Sequence, residues 1–337
     1  MPETLLAIES SCDDTSASII IDAKIASNVV SSQIEHQNLG GVVPELASRK
    51  HLESIGWVVA AAIERAGITK KEIDAIAFTR GPGLMGSLLV GVSFAKSLAQ
   101  ALEVPIIEVN HMEAHILSHF IDDPVPGFPF LCLTVSGGHT QIVLVHAYNH
   151  MEILGQTLDD AAGEAFDKAG KIMGLPYPAG PHIDRLAATG EAVFTFPHPS
   201  VADFHFSFSG LKTAFLYFLQ REMKNNQNFI LENKADLAAS IQKTIVDILI
   251  KELVKASEYT GIQDIAIAGG VSANSELRRQ LIKTSETLGW RYFIPKLEYC
   301  IDNAAMIARA AWFHYDDQDF SSLEVTADPR LQMKAGH

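Results

Sequence analysis

The chain reads as an α/β protein of two lobes, the second repeating the element order of the first. Three observations predict this. At 337 residues it is longer than a usual single core. Two hairpins with small polar tips stand far apart in it: Leu5–Ile8 and Ser16–Ile21 flank Glu9-Ser10-Ser11-Cys12-Asp13-Asp14-Thr15, and Phe130–Val135 and Gln141–Val145 flank Ser136-Gly137-Gly138-His139-Thr140. Each hairpin is then followed by the same succession of strand, helix, strand, glycine loop and helix.

In the first half the third strand is Lys24–Val30. A long helix follows from Pro44 to Ala66: proline suits a first helical turn, and Leu46, His51, Ile55, Val58 and Ala62 recur at helical spacing. Ile73–Thr79 is a strand, Arg80-Gly81-Pro82-Gly83 a glycine loop and Met85–Ala101 a helix. The apolar run Val104–Val109 predicts a buried parallel strand ending at Asn110, and Ile116, Leu117 and Phe120 continue as a helix. In the second half Met151–Leu158 supplies the third strand, and Ala161–Met173, Leu211–Met223 and Leu237–Ala256 are helices. Asp264–Ala268 is a strand, Gly269-Gly270-Val271-Ser272 a glycine loop and Ala273–Leu288 a helix. The lobes are expected over 1–127 and 128–302. A final helix at about 303–316 packs back on the first lobe, and the polar tail 317–337, without periodicity, ends the fold loosely.

The composition, 47% hydrophobic and 20% charged, is that of an ordinary soluble enzyme. Met1-Pro2-Glu3-Thr4 brings no basic region, the apolar run behind it is too short for a signal peptide, and no stretch is expected to span a bilayer. Cys12, Cys132 and Cys300 are widely spaced, which is cytosolic usage. The expected location is cytoplasmic. A net charge of −14 announces no basic face, so a nucleic-acid role needs a local patch or a helper subunit.

Chemistry gathers first at Asn110-His111-Met112-Glu113-Ala114-His115. His111 and His115 fall four apart on one helical face at the mouth of a strand, where α/β proteins place their sites. Two imidazoles at that spacing either share a divalent metal or are two ordinary surface histidines. The glycine-rich loops offer backbone N–H groups to phosphate oxygens with little side chain in the way, and a helix start adds its dipole. A single such loop is equally a structural turn, whereas four in matched order argue for a nucleotide. Asp13 and Asp14 would repel a bare phosphate and make sense beside a cation or as a base. The duplicated topology is that of the actin, hexokinase and heat-shock-protein ATPases, with nucleotide in the cleft between lobes.

Nine segments, in order over about residues 5 to 310, carry a more specific resemblance. They are Ile8-Glu9-Ser10-Ser11-Cys12-Asp13-Asp14-Thr15, the run from Gly40-Gly41-Val42-Val43-Pro44 to His51, Arg80-Gly81-Pro82-Gly83-Leu84, the Asn110–His115 segment and Val135-Ser136-Gly137-Gly138-His139-Thr140. Gly163-Glu164-Ala165-Phe166-Asp167-Lys168, the run from Phe206 to Thr213, Gly269-Gly270-Val271-Ser272-Ala273-Asn274 and Asp302-Asn303-Ala304-Ala305-Met306 complete the set. With them the chain resembles the tRNA threonylcarbamoyladenosine synthase family, the TsaD proteins once described as O-sialoglycoprotein endopeptidases. The resemblance implies transfer of a threonylcarbamoyl group from threonylcarbamoyl-AMP to N6 of the adenosine 3′ of the anticodon, in tRNAs reading ANN codons. It implies one divalent metal, Fe2+ or Zn2+, held by His111, His115 and an aspartate of the far lobe, Asp302, whose plainer role is to cap the following helix.

By the same resemblance Val135, Ser136, Gly137, Gly138 and His139 line the nucleotide. Asp167 and Gly180 meet the ribose and base of the adenylate, and Asn274 its base or ribose. Asp184 is a further candidate against a solvated helical aspartate. Asp13 is the expected base or orienting group and Asp14 the weaker one. The implied partners are tRNA, a TsaB-like paralogue docked on the Pro44–Ala66 helix and a TsaE-like ATPase, with no membrane. A metalloprotease would want His-Glu-x-x-His, and Met112 stands where that glutamate belongs. A sugar kinase does not need the histidine pair, and a non-catalytic nucleotide-binding scaffold does not need the ligand set.

Overall fold

A computed structural model describes residues 3–33, 35–199 and 201–333. Met1, Pro2, Ile34, Ser200 and residues 334–337, which include the end of the expected tail, lie outside the described residues. The chain divides into two compact units: residues 3–125, 148–150 and 295–333 form one, and 126–147 with 151–294 the other.

The first unit runs β1 (Thr4–Glu9), β2 (Asp14–Ile21), β3 (Lys24–Ser32), α1 (Glu35–Leu39), α2 (Pro44–Ala66), β4 (Ala75–Gly81), α3 (Met85–Leu102), β5 (Ile106–Asn110) and α4 (His111–Leu117). The second runs β6 (Phe130–Val135), β7 (Thr140–Ala147), β8 (His150–Gln156), α5 (Ala162–Ile172), α6 (Gly180–Ala187), α7 (Ser209–Asn225), α8 (Phe229–Glu232), α9 (Lys234–Thr260), β9 (Asp264–Ala268), α10 (Ser275–Leu288) and β10 (Arg291–Phe293). The chain then re-enters the first unit with α11 (Leu297–Cys300) and α12 (Ala304–Asp316).

Duplication is plain in the sheets. The first has strand order β3-β2-β1-β4-β5 and the second β8-β7-β6-β9-β10. In each, the central strand pairs antiparallel with its hairpin partner and parallel with the strand that follows the helices. Buried apolar runs such as Leu5-Leu6-Ala7-Ile8 and Phe130-Leu131-Cys132-Leu133 suit strands covered on both faces. In the first unit Ile8, Ile19, Ile76 and Phe78 pack with Val58 of α2 and Leu88 and Val92 of α3. Alanine-rich α12 lies across β1, β2 and β3. In the second unit Leu131, Leu133, Ile265 and Ile267 pack with Phe166, Phe215, Ile245 and Leu249. Among the described residues none of the three cysteines is joined in a disulfide.

Several expectations are corrected here. The return to the first unit begins at residue 295, not 303, so Asp302 belongs to the same unit as the two histidines. Residues 317–333 do not end loosely. Ser321 N–H donates to the Ile106 carbonyl at 2.8 Å, along the outer side of β5, and Asp328 N–H donates to Arg80 O at 2.9 Å. Helix α3, 18 residues long, passes for a membrane span by length and composition alone. One side of it, Leu88, Val92, Ala95 and Ala99, is spent on the first core instead.

Burial separates neighbours on one helix. Phe215 on α7 is 0% exposed and Tyr217 is 65% exposed. Phe215→Ala is expected to cost about 3–5 kcal/mol and Tyr217→Ala less than about 0.5 kcal/mol in urea unfolding.

Candidate functional site

Helix α4 begins directly at the end of β5, and Asn110 caps it: its Oδ1 accepts from the amides of Met112 at 2.9 Å and Glu113 at 3.3 Å. That register puts His111 and His115 on one face with ring centroids 4.7 Å apart. Both Nε2 atoms turn to one carboxylate oxygen, Asp302 Oδ1, at 3.3 Å from His111 and 3.1 Å from His115. Asp302 is free for this because the N-cap of α12 is Asn303, whose side chain accepts from Met306 N–H at 3.1 Å. The capping role expected of Asp302 therefore falls to its neighbour.

Behind His111 stands a residue that belongs to the first hairpin motif without an expected role of its own. Glu9, the last residue of β1, is wholly buried. Its Oε2 accepts from His111 Nδ1 at 3.1 Å and from Thr79 Oγ1, and its Oε1 accepts from the Ser11 amide. A carboxylate on the outer nitrogen of an imidazole fixes its tautomer and leaves Nε2 facing forward, which is how metal-binding histidines are held. One signal was available: Glu9 is a charged residue closing a strand that is otherwise apolar but for Thr4. Among the described residues Nδ1 of His115 has no hydrogen-bond partner.

Electrostatics divides the pair. Burial opposes a charge on His111, yet the carboxylates of Asp302 and Glu9 outweigh it and hold the imidazolium well above the usual histidine range. Burial lowers His115, and the charge on His111 lowers it further. Burial pushes Asp302 and Glu9 upward, but the histidine contacts leave both below the usual carboxylate range. The outlier is Asp14, raised to about 7 by burial and by the carboxylates of Asp302, Asp13 and Glu9, against a hydrogen bond from Ser32. Asp13, the expected base, is half-buried in the same turn.

The donor atoms of His111, His115 and Asp302 lie within 4.8 Å of one another. Two imidazoles and a carboxylate, with one imidazole braced from behind, fit a divalent ion of the iron or zinc type and leave positions open for a ligand.

The remaining expected residues all lie in the second unit. Ser136 closes the β6–β7 turn on itself, its Oγ accepting from His139 N–H at 3.0 Å and its own N–H donating to His139 O at 2.8 Å. Gly137 and Gly138 face open space, as does Gly180. Gly163, at the start of α5, donates to Ser136 O at 3.2 Å, and one turn later Asp167 accepts from Ala179 N–H at 2.7 Å, which draws the 179–180 loop to the same place. Burial raises Asp167 against those backbone bonds. Asn274 caps α10 through Leu277 N–H at 3.0 Å and donates to Gln242 at 2.9 Å, while Asp184 accepts from Ser275 Oγ at 2.7 Å. Asn274 and Asp184 thus hold the start of α10.

The glycine loops differ in use. Gly83 N–H donates to Pro329 O and Leu84 N–H to Ser11 O, so the first unit's loop has spent these donors internally, against the phosphate-loop expectation. A Cβ on Gly83 would come within 2.5 Å of Ser11 O, so this glycine permits close packing. Gly269 does likewise: a Cβ there would lie 2.5 Å from Val135 O, and its φ of 84° with ψ of 169° is a region essentially restricted to glycine. Gly270 beside it faces open space.

Two five-stranded sheets of matched order define a protein of the actin-like ATPase fold, and solved structures of that fold agree. Component A of (R)-2-hydroxyglutaryl-CoA dehydratase from Acidaminococcus fermentans superposes with a TM-score of 0.53 at 15% identity, over 92% of this chain and 97% of that one. Full-length HypF gives 0.60 at 14%, over 93% and 46%. Residues 24–309 match the TsaD family, described as tRNA N6-adenosine threonylcarbamoyltransferase. Proteins of that name from Riemerella anatipestifer and Christiangramia forsetii are each 57% identical to this chain, covering 98% and 97% of it respectively and 98% of their own length. The chain belongs to the TsaD family.

Gly269→Ala is expected to cost about 1–3 kcal/mol from its backbone angles alone, and Gly270→Ala well under that. Paired denaturation curves check the difference.

Proposed function

We propose that this protein transfers the threonylcarbamoyl group of threonylcarbamoyl-AMP to N6 of the adenosine 3′ of the anticodon in tRNAs reading ANN codons. The observation that carries this is the meeting of His111, His115 and Asp302 at one point, in a chain of the TsaD family. The three residues would hold one divalent ion, iron or zinc. When bound, such an ion supplies Lewis acidity and an anchor for the carboxylate or carbonyl oxygens of the acyl group.

The residues of the chain divide the remaining work. Glu9 keeps His111 in one orientation. The Ser136-Gly137-Gly138-His139 turn, with Val135 beneath it, takes the phosphate and nucleotide of the adenylate, and open Gly180 leaves room for its base. Asp167 shapes the 179–180 loop, and Asn274 and Asp184 present the end of α10. The exocyclic amine attacks the carbamoyl carbon, the bond from that carbon to the phosphate oxygen breaks, and AMP departs. Asp13 orients the incoming amine or takes its proton, with Asp14 beside it as the weaker candidate. An anticodon-loop base is already single-stranded, so it enters a pocket at low cost.

An acidic chain needs help to hold tRNA. Leu52 and Trp57 on α2 and Met85 and Leu89 on α3 are exposed, and Ser48 packs against Gly86 where the helices meet. We place a TsaB-like paralogue on this apolar face, with a TsaE-like ATPase as the further partner of a cytoplasmic assembly. Leu52 is 67% exposed, so Leu52→Asp leaves the fold intact. It should weaken co-elution with the TsaB-like protein about tenfold or more, and unchanged co-elution would count against this face.

The decisive assay transfers labelled threonine to tRNA with the partner proteins present, alongside metal analysis. His115→Ala should lose the ion and slow transfer by about 100-fold or more. Glu9→Gln should weaken ion binding by about 10- to 100-fold without removing any ligand. Full transfer by a metal-free His115→Ala protein would sink the reading.

A further inference from the structure

Residues 324–333, which follow the pairing of Ser321 with β5, cross the first unit along one line of contacts. The carbonyls of Val325 and Thr326 accept from Lys96 Nζ and, at 3.1 Å, from Arg80 Nε. Asp328 N–H donates to Arg80 O at 2.9 Å, and Pro329 O accepts from Gly83 N–H at 3.3 Å. The strap lies so close that a Cβ on Gly81 would strike the carbonyl of Asp328. It ends at Gln332, whose carbonyl accepts from Asn110 Nδ2 at 3.0 Å.

We propose that this strap is a positioning element for the two histidines, acting through Asn110. The same side-chain amide faces two ways: Oδ1 caps α4, and Nδ2 is tied to the strap. A helix of seven residues has little stability of its own, so the direction of α4 depends on how its start is fixed. His111 is its first residue, and His115 lies in its last turn. Val325 and Ala327 pack on the first core, which does not account for the run beyond them, and neither does covering the edge of β5. That task is done at residue 321, where Ser321 also accepts from Glu108 N–H through its Oγ at 2.9 Å. Residues 324–333 run on to the 81–83 loop and the cap of α4.

This inference rests on the metal reading above, and its test separates the two. Zinc is titrated against a chromophoric chelator into the full chain, a chain ending at Leu323, Asn110→Ser and the combination. Serine caps helices about as well as asparagine but loses the amide donor. Each single change should weaken zinc binding by about tenfold or more, and the double change no further, because both cut one connection. Amide exchange at Met112 and Glu113 should quicken in step. Equal zinc affinity in the full chain and both single variants overturns the strap's role, and so does a fully additive double variant. Where the shortened chain does not fold, Asn110→Ser decides. If the full chain takes up no zinc that His115→Ala abolishes, the metal reading fails by itself. Exchange at Met112 and Glu113 then decides for the strap if it quickens and against it if it does not.

Discussion

A carboxylate removed from water must find enough donors to replace its hydration, and Glu9 finds them on three separate elements. The Ser11 amide belongs to the turn after β1, the Thr79 hydroxyl to β4 and the His111 ring to α4. Losing any one would strand a buried charge, so the three elements are held in one arrangement. That arrangement sets the turn carrying Asp13 and Asp14 beside the start of the histidine helix. From the other side His51 of α2 donates through Nε2 to the Cys12 carbonyl at 3.0 Å, where Ser87 Oγ also donates, and its Nδ1 accepts from Thr15 Oγ1 at 2.7 Å. Burial keeps His51 below the usual histidine range, which suits a neutral ring bridging two polar groups. The turn is thus gripped by a strand end, two helices and a sheet.

Close backbone approach is the second constraint. Gly83 lies against Ser11 and Gly91 against Ser10, so α3 and the loop before it press directly on the turn. In the second unit Gly163 lies against Ser136 and Gly269 against Val135, which does the same for the other hairpin. The repeated element order therefore extends to the use of glycine: in each unit, glycines before and within the helices allow the hairpin tip to be packed from beneath. Within the expected phosphate loops the open glycines, 137, 138 and 270, belong to the second unit, whereas Gly81 and Gly83 of the first are packed against backbone.

Much of this was legible in the residues. Helix α2 runs from Pro44 to Ala66 as its periodicity says, and β6 and β9 begin and end where their apolar runs do. Hairpins and long helices announce themselves because burial repeats along them. Three-residue β10 and eight-residue α6 are too short to show a period. Asp302 and Asn303 are both good capping residues, and composition alone does not say which one caps. That Asp302 sits with the histidines follows from the chain's return at residue 295, a long-range connection with no local pattern. The strap was invisible for a related reason. Its carbonyls accept from Arg80, Lys96, Gly83 and Asn110, and only Val325 and Ala327 pack on the core, too few to show a period.

One cause accounts for the unequal titration of the groups around the histidines. Glu9, Asp13, Asp14 and Asp302 bring four carboxylates into mutual reach in a partly desolvated region. The system relieves this by putting a proton on His111, which draws Glu9 and Asp302 below their usual range. His115, fully enclosed and next to that charge, is held below the usual histidine range. Asp14 has no cation beside it and is left near 7. A divalent cation meeting the three ligand atoms would take over the role of the proton on His111, displacing it as metal binding requires. It would also offset part of the repulsion that raises Asp14. An excess of acid around a histidine pair is costly for an empty structural site and useful for one that holds a cation, so the charge distribution favours the metal reading independently of the spacing of His111 and His115.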